Sequence, residues 1–231
     1  MLQAIGLTKH YQHHIALDNL NMTVKPGEVF CLLGKNGAGK TTTINLFLGF
    51  TEATSGEALV NGLVVKPNEP AAKKFIAYIP EIVMLYGNLT CIENLDFFSR
   101  LAGFTYTRKE LEYFLSSVEL QSAAFDRRLA KCTRGMRQKV GIAIALAKNA
   151  AALLMDEPTA GLDPKATDEF SALIKGLAAQ GKTILMATHD LFNAAEVGTK
   201  VGIMRKGVLI HECATANINV NELQKLYLET I

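Results

Sequence analysis

The chain has 231 residues, 49% of them apolar, and a formal net charge of +2. Such a composition excludes a disordered or fibrous chain and allows one or two domains with a sizeable core. The near-neutral balance argues against a nucleic-acid partner, and none is expected.

The first half opens with strand-like segments, Leu2 to Leu7 and Ile15 to Val24. A Pro26-Gly27 turn leads into the apolar run Val29 to Leu33. Thr41 to Phe50 reads as a helix ending at Gly49. Glu57 to Val65 holds Asn61-Gly62 between apolar flanks, a strong hairpin signal. Ile76 to Ile79 reads as another strand. Thr90-x-x-Glu93 and Thr107-x-x-Glu110 then form capping-box patterns ahead of helically periodic runs. A helical insert is therefore expected from about Leu89 to Ala147. Strand character returns at Ala151 to Met155, Thr183 to Ala187 and Val201 to Met204. Asp163-Pro164 pairs a cap with a first-position proline and predicts a helix to Gln180. Lys206-Gly207 makes a final turn, and Asn219 to Glu229 reads as a terminal helix.

Cys31, Cys91, Cys132 and Cys213 are scattered with no C-x-x-C pair, which argues against a metal site or disulfide framework and suits a reducing cytosol. No signal peptide is expected at Met1 to Gly6. Val140 to Met155 is apolar but broken by Lys148-Asn149 and shorter than the roughly 20 residues that span a bilayer. It predicts a buried helix followed by a buried strand.

The chemistry concentrates in Gly34-Lys35-Asn36-Gly37-Ala38-Gly39-Lys40-Thr41, followed by Thr42. This is G-x-x-x-x-G-K-[ST] between a strand and a helix, a phosphate-binding P-loop. Glycines let backbone N–H groups curl round a phosphate, and the helix N-terminus adds positive potential. Lys40 is expected to reach β- and γ-phosphates, and the Thr41 hydroxyl to ligate Mg²⁺. Downstream, Ala152 to Pro158 is an apolar strand delivering Asp156 and Glu157 at its end. Asp156 fits a Mg²⁺ role and Glu157 a group aimed at the attacking water.

With the segments around it, the chain resembles an ATP-binding-cassette (ABC) transporter ATPase over essentially its full length. Asp156 to Pro164 looks like the Walker B segment running into the D-loop, with Asp163 in the latter. His189, in Thr188-His189-Asp190, resembles the family's switch histidine. Cys132-Thr133-Arg134-Gly135-Met136 occupies the signature position. Tyr11 lies between two strand segments, like the family's adenine-stacking aromatic. Glu81, in Ile79-Pro80-Glu81, stands at the Q-loop position. Two segments, the signature and the Q-loop, depart from the common pattern. The usual Leu-Ser-Gly-Gly-Gln signature carries Arg134 and Met136 here, while Thr133 keeps a hydroxyl and Gly135 a glycine. The Q-loop glutamine is replaced by Glu81, which could still ligate Mg²⁺. These variations resemble ATPases that serve type-2 permeases, often exporters.

The resemblance implies an α/β fold: a P-loop core with a mainly parallel sheet, an N-terminal antiparallel β layer and an inserted helical subdomain. It implies one ATPase domain over 1–231, with a core at about 1–88 and 148–231 and the helical part at about 89–147. It implies a head-to-tail homodimer or paired ATPase subunit, in which each ATP sits between one P-loop and the partner's Thr133–Gly135 segment. Glu157 and His189 are the expected catalytic pair, and Asp163 the link between sites. A separate multi-span permease is the expected partner, placing the chain peripherally on the cytoplasmic face of the membrane. The rivals are an ABC ATPase in DNA maintenance or translation, and a metabolic P-loop kinase. Against the first stand the absence of heptads between Lys40 and Thr133 and the single cassette; against the second stand the signature and switch histidine together.

Other residues read more plainly. His10, His13 and His14 are expected to be solvated, as are Arg137 and Lys139 at a helix start. Ile82-Val83-Met84-Leu85-Tyr86 is an apolar run in a loop, which must pack within the subunit or against a partner.

Overall fold

The computed structural model describes residues 1–231. In chain order the strands are β1 (Leu2–Tyr11), β2 (His14–Val24), β3 (Val29–Leu33), β4 (Ser55–Val60), β5 (Leu63–Val64), β6 (Ile76–Ile79), β7 (Ala152–Asp156), β8 (Thr183–Thr188), β9 (Lys200–Arg205) and β10 (Val208–Ala214). The helices are α1 (Lys40–Leu48), α2 (Pro70–Lys73), α3 (Cys91–Leu101), α4 (Arg108–Ser117), α5 (Arg134–Ala147), α6 (Pro164–Ala179), α7 (Leu191–Val197) and α8 (Val220–Thr230).

The smaller sheet is antiparallel, in the order β2-β1-β4-β5. Asn61 and Gly62 close β4 onto β5 with φ of 50° and 79°, matching the twist a two-residue hairpin needs. The larger sheet runs β10-β9-β3-β8-β7-β6 and is parallel except at β10. Beyond the Lys206-Gly207 turn, where the sequence predicts only a terminal helix, the chain adds β10. That strand is an edge with no fully buried residue, so it carries no burial alternation to read.

Strand alternation divides the core in two. Val29, Cys31 and Leu33 face α6, α7 and the helices between β6 and β7. Phe30 and Leu32 face α1 and the antiparallel sheet. Leu95, Leu115 and Leu129 from the helical segment belong to the first of these clusters. That segment therefore has no separate core and is held by burial against the sheet.

Local chemistry fixes the helix ends. Thr90 with Glu93, Thr107 with Glu110 and Asn219 with Glu222 each form a reciprocal capping box. Asp163 and Asp190 cap α6 and α7 by accepting from Ala166 N and Asn193 N. The apolar stretch from Val140 becomes the buried end of α5 and the buried strand β7. No helix is long and apolar enough to cross a membrane.

Candidate functional site

The loop of residues 34–39 joins β3 to α1. Gly39 has φ 109°, and a Cβ there would stand 2.8 Å from the Ala16 carbonyl oxygen. At Gly34 a Cβ would meet the Met204 carbonyl oxygen at 2.7 Å. No larger residue fits either place without moving backbone. Gly39 also leaves the start of α1 without a side-chain cap, so its first N–H groups remain open donors.

Lys40 is 7% exposed. Its Nζ donates to the Gly34 carbonyl and, at 3.4 Å, to that of Lys35. It lies 3.8 Å from Glu157 Oε1. Burial lowers its pKa, while Glu157 and Asp156 pull the other way. Thr41 Oγ1 donates to Asp156 Oδ2 at 3.0 Å. Burial raises the pKa of Asp156; the Thr41 bond opposes this, and the Glu157 and Glu81 charges add to it.

Glu157 follows the end of β7 with φ 46°, in the left-handed region. Its own N–H donates to the Ala187 carbonyl at 2.8 Å, which holds the turn against β8. A non-glycine residue in this conformation is strained and persists only because its surroundings fix it. The His189 ring Nδ1 lies 2.9 Å from Glu157 Oε2, and the His189 N–H donates to the same oxygen at 3.3 Å. Lys40, Glu157 and His189 thus form a continuous polar chain.

A cavity of about 420 Å³ opens over this corner. Residues 35–42, Tyr11, Glu81, Asp156 and Glu157 line it. The Tyr11 ring is 44% exposed and Lys9 Nζ lies 4.8 Å from its centre. Tyr11 is the last residue of β1 rather than a loop residue, and it pairs with His14 across the hairpin. His14 and Ala16 line the cavity too. His14, read from sequence as merely solvated, is exposed but stands on the cavity wall. The two-residue gap between the strands was the signal that could have found it.

His189 is not part of that wall; it stands behind Glu157. The structure also keeps Thr133, Gly135, Met136 and Asp163 away from the P-loop cavity. They line a separate cleft of about 490 Å³ between α5 and α6. Thr133 caps α5, its Oγ1 accepting from Met136 N at 3.2 Å. Arg134 turns the other way, toward Glu81, to whose carbonyl it donates at 2.7 Å. Gln138 escaped the sequence reading: it is 1% exposed, and its Nε2 donates to the Glu81 and Pro158 carbonyls, each at 3.2 Å. Lys139 corrects another expectation. It is not solvated but 12% exposed, paired with Glu169 at 2.7 Å. Arg137 is half-buried and donates to the Ala130 carbonyl.

Thr41, Asp156 and Glu81 present oxygen donors to one cavity. No group of three or more His, Cys, Asp or Glu side chains is placed to hold a metal. Such a donor set suits a hard cation that completes its shell with phosphate oxygens and water.

A strand, a glycine-rich loop, an uncapped helix start with a buried lysine and a facing strand-end aspartate define a P-loop nucleoside triphosphatase. Residues 17–160 match the family model described as "ABC transporter". The chain is 35% identical over 214 residues to the Nod factor export ATP-binding protein I of Cupriavidus metallidurans (strain ATCC 43123 / DSM 2839 / NBRC 102507 / CH34), covering 92% of this chain and 70% of that protein. It is 36% identical over 213 residues to the bacitracin transport ATP-binding protein BcrA of Bacillus licheniformis, covering 92% and 69%. Against the probable multidrug ABC transporter ATP-binding protein YbhF of Escherichia coli (strain K12) it is 34% identical and spans 91% of this chain but 36% of that one. Among solved structures, the dimeric post-hydrolysis state of the ATP-binding cassette MJ0796, bound to ADP and Pi, superposes with a TM-score of 0.81 at 26% identity, covering 93% of this chain and 99% of that one. The chain belongs to the ABC transporter family and is an ATP-binding, ATP-hydrolysing cassette.

Proposed function

We propose that this chain is the motor subunit of an exporter: two cassettes close head to tail on ATP, and a separate multi-span permease converts that closure into solute movement. The observation that carries the reading is the corner where Thr41 meets Asp156 and Lys40 meets Glu157 and His189.

Each residue has a distinct task there. Open N–H groups of the 34–39 loop and α1 hold phosphate oxygens. Lys40 exchanges its loop carbonyls for the β- and γ-phosphates, and Tyr11 stacks on adenine. Thr41, Asp156 and Glu81 would hold Mg²⁺, which when bound neutralises charge between the β- and γ-phosphates. Glu157 accepts a proton from the attacking water, and His189 fixes its carboxylate. From the other subunit, Thr133 and Gly135 face the γ-phosphate, and Asp163 links the two sites. In this reading the division at about 88/89 and 147/148 separates a catalytic core from a helical part that turns against it.

The apolar loop suits a permease contact on one side only. Val83 and Leu85 pack on the core. Ile82, Met84 and Tyr86 are 63%, 87% and 49% exposed. Alternation partly buries Val83 and Leu85 and leaves the other three residues as an apolar face next to Glu81. Export is favoured by the relatives, whose names refer to Nod factor export and to bacitracin transport. A peripheral place on the cytoplasmic face of the membrane follows from this partnership.

Lys40→Ala tests the nucleotide site. Losing charge-assisted bonds to two phosphates should weaken ATP binding roughly 100-fold by calorimetry. Affinity within about twofold of wild type would rule the site out.

A further inference from the structure

Arg134 is the first residue of α5, and its guanidinium reaches back into its own subunit. Nη2 donates to the Glu81 carbonyl at 2.7 Å and lies 3.5 Å from Glu81 Oε1. The same group packs against Gly161, where a Cβ would stand 2.7 Å from Nη1. One turn along the same helix face, Gln138 holds the Glu81 and Pro158 carbonyls. One face of α5 therefore grips two loops that leave the C-terminal ends of neighbouring strands β6 and β7.

Two of the departures from the common family pattern, Glu81 and Arg134, are in contact with each other. A glutamate in place of glutamine at 81 adds a negative charge to a cavity already holding Asp156 and Glu157. An arginine in place of glycine at 134 adds a positive charge beside it. The side chains are 54% and 35% exposed, so the pair contributes little to folding stability. Its consequence is for the field in the cavity. An uncompensated Glu81 would repel a polyphosphate, and the arginine offsets that charge while the carbonyl bond fixes the loop.

Resting on the nucleotide-site reading above, we infer that Arg134 is a positioning residue for Glu81: from the signature helix it anchors the Glu81 loop of its own subunit and balances the Glu81 carboxylate, so that the cavity accepts ATP. Thr133 and Gly135 are left as the signature residues that face outward.

Calorimetric ATP affinities of a double-mutant cycle, measured in EDTA and in Mg²⁺, test this. Arg134→Gln should weaken Mg²⁺-free ATP roughly fivefold, the scale of one unscreened charge a few ångströms away. Arg134→Gln combined with Glu81→Gln should bind within about twofold of Glu81→Gln alone, because no charge remains to be balanced. Arg134→Lys should bind more tightly than Arg134→Gln and recover most of its loss, since it keeps the charge that balances Glu81. Saturating Mg²⁺ should shrink the Arg134→Gln defect. Losses that multiply in the double variant, or a lysine variant as weak as the glutamine one, would overturn the inference. Those outcomes differ from a failure of the nucleotide reading, in which the wild-type chain would bind no ATP or Lys40→Ala would bind it normally.

Discussion

The starts of α1 and α5 face opposite problems with the same backbone chemistry. Both are helix N-termini with unpaired N–H groups. At α1 the cap is Gly39, which brings no side chain, so the donors stay open inside a concave loop beside a buried lysine. At α5 the cap is Thr133, whose Oγ1 already accepts from Met136 N. The first end is an anion cradle complete within the chain. The second satisfies itself and shows an exposed hydroxyl on a separate cleft, where the lysine–acid pair Lys139 with Glu169 is closed on itself at 2.7 Å. On the proposed function, the helix start that encloses phosphate is left bare, and the one that would only touch a phosphate held by the partner is capped. The contrast suits the head-to-tail pair of cassettes proposed above, in which each chain would supply one end of each kind.

Glu157→Gln strikes the complete corner and should give the largest effect. An amide cannot take the water's proton, so hydrolysis should fall roughly 10²–10⁴-fold while ATP binding persists. Steady-state phosphate release and calorimetry measure the two separately, and turnover at the wild-type rate would remove Glu157 from the chemistry. Thr133→Ala strikes the capped end. It should leave ATP affinity of the monomer unchanged, cost α5 about 1 kcal/mol, and reduce ATP-dependent dimer on size exclusion several-fold. A monomer that loses ATP affinity to the same extent would collapse the distinction between the two ends.

The exposed apolar face adjoins the start of α5, where Ile82 shares a cleft with Arg134 and Gln138. Met84→Asp, at 87% exposure, should spare ATP binding and fold yet lower recovery of the chain with membranes several-fold. Unchanged membrane recovery would leave that face without a partner. The smallest effect concerns stability. Burial raises the Asp156 pKa above its ordinary 3.8, so the ionised carboxylate costs stability at neutral pH. That cost is fully present above the raised value and vanishes as pH falls to the unfolded value near 3.8. Asp156→Asn, free of nucleotide, should therefore melt slightly higher than wild type at pH 7, and the gain should fade toward pH 4. Calorimetric melting across that range checks the sign; a variant less stable than wild type at pH 7 would contradict it.

Much of this molecule is written in short-range signals. The glycines of the P-loop, the capping boxes at Thr90, Thr107 and Asn219, the Asn61-Gly62 turn and the apolar strands act between residues a few positions apart, so sequence alone determined the class of fold and the phosphate loop. Tertiary structure decided what those signals do not carry. Thr41 meets Asp156 across 115 positions because sheet order sets β3 and β7 on either side of β8. Arg134 reaches Glu81 across 53 positions because α5 crosses the end of β6. His14 joins Tyr11 at the cavity through hairpin register, and Lys139 is drawn out of solvent by Glu169. Residue periodicity reports which face of an element is buried, whereas the neighbour that meets that face depends on the order in which strands and helices pack.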